Sequence, residues 1–215
     1  ANVFSANGNA EALLDLIEAE QPDIIFLQEV TNRWATVMDQ LQSSYPHRLV
    51  LPRDDNFGIA VYARDPLTSV DTVLSPPFDF PTLVVQQSLG GRTVTNVTTP
   101  PSPPVSRAGF DARNEQLVSI ADLVAPLSGP KIIVGDLNIS MWSHLYRQLA
   151  ETTDLANTRR GFGVMPTWPR YLPFAMIPID HVLVSDEFAV ADIRLGPDIG
   201  SDHLPLIATL ALVER

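Results

Sequence analysis

Four short segments of the sequence place carboxylate, amide or imidazole side chains at the end of an apolar run. These segments span residues 24–30, 132–138, 178–184 and 200–206. Carboxylate and amide oxygens bind hard divalent cations and hold water, and an aspartate beside a histidine favours the charged imidazolium. The pattern therefore predicts a divalent-cation site with a histidine–aspartate pair. Its candidate residues are Glu29, Asp136, Asn138, Asp180, Asp202 and His203.

Each segment also has a simpler interpretation. Glu29 could mark the point where a buried strand emerges into solvent, and a lone histidine near a core is commonly structural. Asp136 and Asn138 lie two residues apart, so on extended backbone both side chains face the same way. Alternatively, they form a turn that caps a helix starting near Ser140. One shared site explains all four segments more economically than four separate coincidences.

The composition limits the classes of function. The chain has 215 residues, of which 45% are hydrophobic and 18% charged, enough for a large core. Fourteen basic and 25 acidic residues give a net charge of −11. This charge disfavours a protein that binds nucleic acid by neutralising phosphates, but not an enzyme that meets phosphate through a bound cation. The absence of cysteine excludes disulfides, thiolate metal sites and cysteine nucleophiles.

Hydrophobic periodicity alternates between helix and strand spacing along the chain. It predicts helices over 9–20, 34–41, 113–124 and 140–150, and strands over 24–27, 59–62, 83–87, 93–97, 131–135, 179–185 and 206–213, with a proline-dense loop at 99–104. Many short strands and few helices favour two packed sheets with helices outside over a doubly wound parallel sheet, in one α/β domain over residues 1–215. In the strand at 179–185, Asp180 and His181 point to opposite faces, so we expect His181 to be structural.

Short motifs stand in a fixed order along nearly the whole chain. They are NV at residue 2, QEV at 28, GIAVY at 58, RNEQ at 113, GDLN at 135, PTWP at 166, IDH at 179 and SDH at 201. This ordered set resembles the endonuclease/exonuclease/phosphatase superfamily, which includes deoxyribonuclease I, exonuclease III-like repair nucleases, sphingomyelinases and inositol polyphosphate phosphatases. The resemblance implies an α/β fold, a four-layer α/β/β/α sandwich of two mostly antiparallel sheets flanked by helices.

The resemblance also implies a role for each matching residue. The metal would be Mg²⁺, with Mn²⁺ as a possible substitute. The implied metal-site residues are Glu29 as principal ligand, Asn2 beside it, and Asp202 at a second metal position. The implied catalytic residues are Asp136 for the attacking water, Asn138 for the scissile phosphate, His203 for a phosphoryl oxygen and Asp180 for the His203 ring.

Three further residues are candidates for substrate binding. Many members of the superfamily carry a histidine at the end of the central strand, where this chain has Thr99. The threonine could still hydrogen-bond a phosphate but cannot supply charge. Trp168 and Tyr171 could stack on a base or a sugar, or they could cover the core beneath a proline-rich loop.

Two classes of function remain open. The first is Mg²⁺-dependent hydrolysis of a phosphoester, most simply a phosphodiester, by in-line attack of water. The second is a catalytically weak domain that binds a phosphorylated ligand or partner. Within the enzyme class, the substrate is a nucleic acid, a phospholipid headgroup or a small phosphoester. The single lysine, Lys131, and the lack of a basic helix weigh against nucleic acid.

The start of the chain suggests a larger protein. The sequence opens on a β-type run without methionine, 1–4, from which we expect a truncated N-terminal strand. Bacterial relatives with similar motifs often follow membrane segments. We therefore expect a soluble, monomeric domain of a membrane-anchored bacterial protein.

Overall fold

The computed structural model describes residues 1–213. In it, a six-stranded sheet faces a three-stranded and a two-stranded sheet, and helices cover both outer sides. The strands are β1 Ile24–Gln28, β2 His47–Leu51, β3 Ile59–Ala63, β4 Leu67–Ser75, β5 Phe80–Leu89, β6 Arg92–Thr98, β7 Lys131–Asp136, β8 Ala156–Asn157, β9 Asp180–Val184, β10 Phe188–Leu195 and β11 Leu206–Leu212. The helices are α1 Ala10–Glu20, α2 Asn32–Met38, α3 Arg107–Val124 and α4 His144–Thr153. The expected four-layer α/β/β/α sandwich is confirmed.

Strand order brings the candidate segments together. The large sheet runs β4-β5-β6-β7-β9-β8, antiparallel except between β6 and β7. The β7–β9 register sets Asp136 opposite Asp180. The smaller sheets have the orders β1-β3-β2 and β10-β11, and Asn2 forms a parallel bridge with Gln28 at the end of β1.

Apolar clusters fill each space between layers. One cluster joins β1, β2 and β3 to β5 between the facing sheets, around Ile59 and Leu83, and another joins β10 and β11 to β6, β7 and β9, around Phe188. The first two helices cover the β1-β3-β2 sheet, and α3 and α4 cover the large sheet. Within residues 1–213, no helix has the length and apolarity needed to cross a membrane.

The buried elements match the predictions best. Both α1 and β1 lie within a residue of their predicted bounds, and Asn9 caps α1 by accepting from the Ala12 amide at 3.4 Å. The prediction for α3 was wrong at its start, because Ser106 caps the helix at Gly109 and begins it six residues earlier than predicted. The helix predicted from 140 begins instead at His144, after a turn. The strands β2, β4, β8 and β10 were not predicted.

A glycine in β7 allows the two facing sheets to meet closely. Gly135 has φ +136°, and a Cβ there would lie 2.8 Å from the side-chain amide of Gln28. We expect Gly135→Ala to lower the free energy of unfolding by about 3 kcal/mol, because it combines backbone strain with a clash against a buried group. Urea denaturation measures this loss.

Gly129→Ala is the matched control. Gly129 also has positive φ, +77°, but the nearest atom to its added Cβ is the Thr93 carbonyl oxygen at 3.9 Å. Its substitution should cost about 1 kcal/mol from backbone strain alone. Equal losses in the two variants would show that contact with Gln28 is unimportant.

Candidate active site

The side chain of Gln28 bonds the two facing sheets where the candidate residues meet. Its amide nitrogen donates to the carbonyl oxygens of Thr99 and Asp136, and its amide oxygen accepts from the Asp136 backbone N–H. Gln28 is 2% exposed, so leaving these groups unpaired would be costly. The end of β1 is therefore fixed against the ends of β6 and β7.

The next residue, Glu29, extends from this junction toward Asp136. The amide nitrogen of Asn2 donates to Glu29 Oε1 at 2.9 Å and to Asp136 Oδ2 at 3.3 Å. The backbone N–H of Ser5 donates to Glu29 Oε2 at 3.0 Å. The Asn2 amide oxygen accepts from the Phe4 N–H at 2.9 Å. Asn2 therefore bridges the Glu29 and Asp136 carboxylates. That Asn2 binds a metal stays a prediction.

His203 lies between two buried aspartates. Its Nδ1 is 2.8 Å from Asp180 Oδ2, a hydrogen bond, and its Nε2 is 3.7 Å from Asp136 Oδ2, which is too long for one. The Ser201 hydroxyl accepts from the His203 N–H at 3.1 Å and donates to the Asn2 carbonyl at 2.9 Å. The ring is thus fixed with Nε2 directed toward the Asp136 carboxylate.

Burial and these contacts determine which of His203, Asp180 and Asp136 is charged. Burial by itself would lower the pKa of His203, but the carboxylates of Asp180 and Asp136 outweigh it and raise that pKa. Burial would raise the pKa of Asp180, but the adjacent imidazolium lowers it. Burial raises the pKa of Asp136 despite the same imidazolium. Asp180 and His203 therefore form an ion pair, and Asp136 is the carboxylate that can take a proton near neutral pH.

The turn after β7 corrects one premise of the sequence argument. Asn138 has φ +51°, so the backbone between Asp136 and Asn138 is not extended. The Asn138 N–H donates to Asp136 Oδ1 at 2.8 Å, which forms an Asx turn. The Asn138 side-chain nitrogen donates to the Pro101 carbonyl at 2.9 Å. The turn interpretation was right for the backbone, but the helix that follows begins at His144, and neither Asp136 nor Asn138 caps it.

The remaining candidates have different surroundings. The Trp168 indole N–H donates to Asp202 Oδ2 at 3.0 Å, and its ring centroid is 6.3 Å from that of His203. Thr99 is fully buried, and its hydroxyl accepts from Thr82 at 2.9 Å. Tyr171 is 62% exposed. The substrate contacts of Thr99, Trp168 and Tyr171 stay predictions.

Glu29 and Asp202 offer carboxylate oxygens, which are the ligands that a hard divalent cation binds. Glu29 is half-buried and already fixed by two hydrogen bonds, and Asp202 Oδ1 is buried with no hydrogen-bond partner within residues 1–213. Mg²⁺ typically binds one or two carboxylates and keeps several waters. In the part of the chain that the structure describes, no group of three or more His, Asp or Glu side chains is arranged to hold a metal ion. Mg²⁺ could therefore take few protein ligands here.

Several supporting residues were missed by the sequence argument. Arg159 is buried and donates to the Asp180 carbonyl at 2.7 Å, so it supports β9. The Thr167 hydroxyl accepts from the Asp180 N–H at 3.3 Å. Gln28 was noted only as part of a motif. A glycine at 135 is compatible with a close approach, but the sequence does not show that Gln28 makes it.

Comparisons with known proteins bear on the family and on the fold. A model of the endonuclease/exonuclease/phosphatase family matches residues 1–203. No curated protein gives a significant sequence match. An endonuclease/exonuclease/phosphatase from Beutenbergia cavernae has 24% identity and a TM-score of 0.75 over 93% of this chain, which spans 65% of that protein's length.

Two further solved structures share the fold. TDP2 from D. rerio, complexed with single strand DNA product, has 15% identity and a TM-score of 0.81, with 98% of this chain and 96% of that one covered. Sphingomyelinase C from Streptomyces griseocarneus has 18% identity and a TM-score of 0.70, with 96% of each chain covered. At these identities the likeness establishes the fold alone.

His181 lies on the other face of β9, as predicted. Its Nε2 is 2.7 Å from the Ile139 carbonyl oxygen and its ring packs 4.6 Å from that of Tyr146. Burial lowers the pKa of His181 to about 4. The unfolded chain therefore takes up a proton below about pH 6.5 that the folded chain does not, and stability present above that pH is lost as the pH falls toward 4.

The variant His181→Gln should remove this dependence, because glutamine can still donate to the Ile139 carbonyl and does not titrate. Between pH 7.5 and pH 5, we expect the parent chain to lose about 2 kcal/mol more unfolding free energy than the variant. Urea denaturation at the two pH values measures the difference. Parallel losses would mean that His181 does not stay neutral in the folded chain.

Proposed function

The chain belongs to the endonuclease/exonuclease/phosphatase family, whose members are phosphoesterase hydrolases, and we propose that it hydrolyses a phosphodiester with the help of Mg²⁺. The observation that carries this proposal is the position of His203, with Nδ1 on Asp180 and Nε2 3.7 Å from Asp136. A base and an acid thereby face each other across a gap too wide for a direct hydrogen bond. A phosphoryl oxygen or a water about 2.8 Å from both groups would lie to one side of this gap, in contact with each.

Asp136 would act on the attacking water. Its Oδ1 accepts from the Asn138 N–H and its Oδ2 from the Asn2 side chain, which fixes the carboxylate plane. Because burial raises its pKa, this carboxylate can accept a proton from water near neutral pH. Asp136 Oδ2 also faces His203 Nε2, at 3.7 Å, and can accept a further hydrogen bond on that side.

His203 would stabilise the charge that develops on the phosphoryl group. The Asp180 carboxylate holds its Nδ1–H and keeps the ring charged, so Nε2–H is free to donate to an equatorial oxygen. Glu29, beside Asn2, would hold Mg²⁺, and Asp202 would serve a second metal position. When bound, the cation neutralises phosphate charge and polarises the phosphorus–oxygen bonds.

The charge distribution favours a substrate other than a long nucleic acid. The lone lysine, Lys131, is buried and donates to the Val124 and Leu127 carbonyls, and Arg113 donates to the Asn138 carbonyl. These cations are therefore committed to the fold. A phospholipid headgroup or a small diester needs fewer phosphate contacts than a nucleic-acid backbone and suits this surface better.

Hydrolysis of bis-p-nitrophenyl phosphate tests the proposal. With Mg²⁺ or Mn²⁺ we expect turnover that EDTA abolishes. The variants Asp136→Asn and His203→Gln should each lower turnover by about 10²–10³-fold, because each removes stabilisation of the transition state. The matched control is His144→Gln, an exposed residue at the start of α4 whose substitution should leave turnover unchanged.

Further arms separate the alternatives. Cleavage of p-nitrophenyl phosphate without cleavage of the diester would reassign the chain to monoesters. Sphingomyelin vesicles and single-stranded DNA, compared at equal phosphate concentration, distinguish lipid from nucleic acid. Tight binding of a phosphorylated ligand with no turnover on any substrate would contradict hydrolysis and support a binding domain.

A further inference from the structure

An uncharged apolar loop lies beside the candidate active site. Residues 171–177 have the sequence YLPFAMI, and none of them carries a charge. Residues 171–175 are all exposed, with Phe174 at 90% and Tyr171 at 62%. Single exposed apolar side chains are ordinary, whereas a contiguous exposed apolar run commonly marks a binding surface. We call residues 171–177 the apolar loop.

The base of the apolar loop is bonded to the candidate site. Trp168 and Ile177 close the loop by an antiparallel bridge, in which each N–H donates to the other residue's carbonyl, at 3.1 and 2.6 Å. The Trp168 indole N–H donates to the carboxylate of Asp202, the neighbour of His203. At the other end of the loop, the chain reaches Asp180 three residues after Ile177. The apolar loop therefore lies at the rim of the site.

The tip of the apolar loop has its own hydrogen bonds. A 3-10 helix covers Pro173–Ala175, and the Ala175 N–H donates to the Leu172 carbonyl at 2.8 Å. The Leu172 N–H donates to the Pro169 carbonyl at 3.0 Å. Because these backbone groups are paired within the loop, removing the tip from water costs less than it would for an open segment.

The side chains of the apolar loop suit a lipid surface better than a protein partner. Apart from the Tyr171 hydroxyl, they offer no strong hydrogen-bonding group, whereas protein interfaces carry about one hydrogen bond per 100–200 Å². The adjacent cation, Arg170, is paired with Asp198 at 2.7 Å. Exposed leucine and phenylalanine with a tyrosine at the edge are typical of segments that enter a membrane interface.

The charge of the chain selects the kind of lipid. A net charge of −11 is repelled by an anionic bilayer, which attracts basic segments instead. Zwitterionic lipids such as phosphatidylcholine and sphingomyelin present no net charge. An uncharged loop can bind them through apolar contact alone, and this binding strengthens with the apolar area that is buried.

We propose that the apolar loop docks the chain on a zwitterionic lipid surface, with Leu172 and Phe174 entering the headgroup region. The bonds at Trp168 would then hold the candidate site next to that surface. Docking itself does not require turnover. The delivery of a headgroup phosphodiester to the site rests on the proposed function.

Sedimentation with phosphatidylcholine vesicles in EDTA, which stops metal-dependent hydrolysis, tests the docking. We expect the parent chain to sediment with the vesicles, and Phe174→Ser to weaken binding by about tenfold or more, because it removes a large apolar side chain from the contact. Leu172→Ser and Leu89→Ser are a matched pair, since the two leucines are 39% and 41% exposed. Leu89 lies at the β5–β6 turn, at the end of β6 away from Thr99. Only Leu172→Ser should weaken binding.

A tryptophan at the tip reports insertion directly. Phe174→Trp keeps a large apolar ring and should bind as the parent chain does. Its fluorescence should be quenched by brominated phosphatidylcholine beyond the quenching of the parent chain, which has three tryptophans. Leu89→Trp should show no added quenching.

Turnover of soluble bis-p-nitrophenyl phosphate separates docking from catalysis. Phe174→Ser and Leu172→Ser should leave this turnover unchanged, because the diester needs no lipid surface. Turnover without vesicle binding would overturn docking alone, and binding that is lost in Phe174→Ser without turnover on any substrate would support docking and contradict the proposed function. Equal binding by the parent chain and both serine variants, or binding confined to vesicles that contain phosphatidylserine, would overturn the proposal. Self-association that Phe174→Ser abolishes, with no vesicle binding, would assign the apolar loop to a second copy of the chain.

Discussion

The side-chain amide of Gln28 bonds the two facing sheets to each other at the point where the candidate catalytic groups meet. An amide suits this position because it both donates and accepts, and here it does so to the backbone of β7 and to Thr99. The next residue is Glu29, so fixing Gln28 also fixes the distance between the Glu29 and Asp136 carboxylates. Gly135 permits the approach, since any side chain there would overlap the amide. The site thus depends on a contact between sheets more than on any single strand.

The charges at this junction are consistent with the cation proposed above. Asp136 and Asp180 are both buried, and His203 is the cationic group between them. Arg159 and Arg113 donate to the Asp180 and Asn138 carbonyl oxygens, not to these carboxylates. With Glu29 added, carboxylates outnumber the imidazolium in this cluster. A phosphodiester entering it would meet net negative charge, which a divalent cation on Glu29 would offset.

Most of the strands that the sequence predicted are buried, and the strands that it missed are more exposed. Strands such as β1 and β9 are apolar on both faces and were recognised, whereas β4 is largely exposed and has no comparable apolar run. The candidate carboxylates could be selected from the sequence because they follow apolar strands. The role of Gln28 was not, because its partners lie 71 and 108 residues away in sequence and no local pattern records them. For the same reason no local pattern predicts that Arg159 donates to the Asp180 carbonyl, 21 residues away.

Two of the candidate residues also occupy strained backbone. Glu29 has φ +62° and Asn138 has φ +51°, and each comes within two residues of a strand end. A residue other than glycine in this region costs about 1–2 kcal/mol, so glycine would be the more stable choice at both positions. The chain instead carries the side chains that the proposed chemistry uses. The hydrogen bonds around them, from Asn2 and Ser5 to Glu29 and from Asn138 to Asp136 and Pro101, hold the backbone in this conformation. The strained backbone at Glu29 and Asn138 therefore lowers stability, compared with glycine, at the strand ends that the inter-sheet contact holds together. These are two of the residues that the proposed chemistry uses.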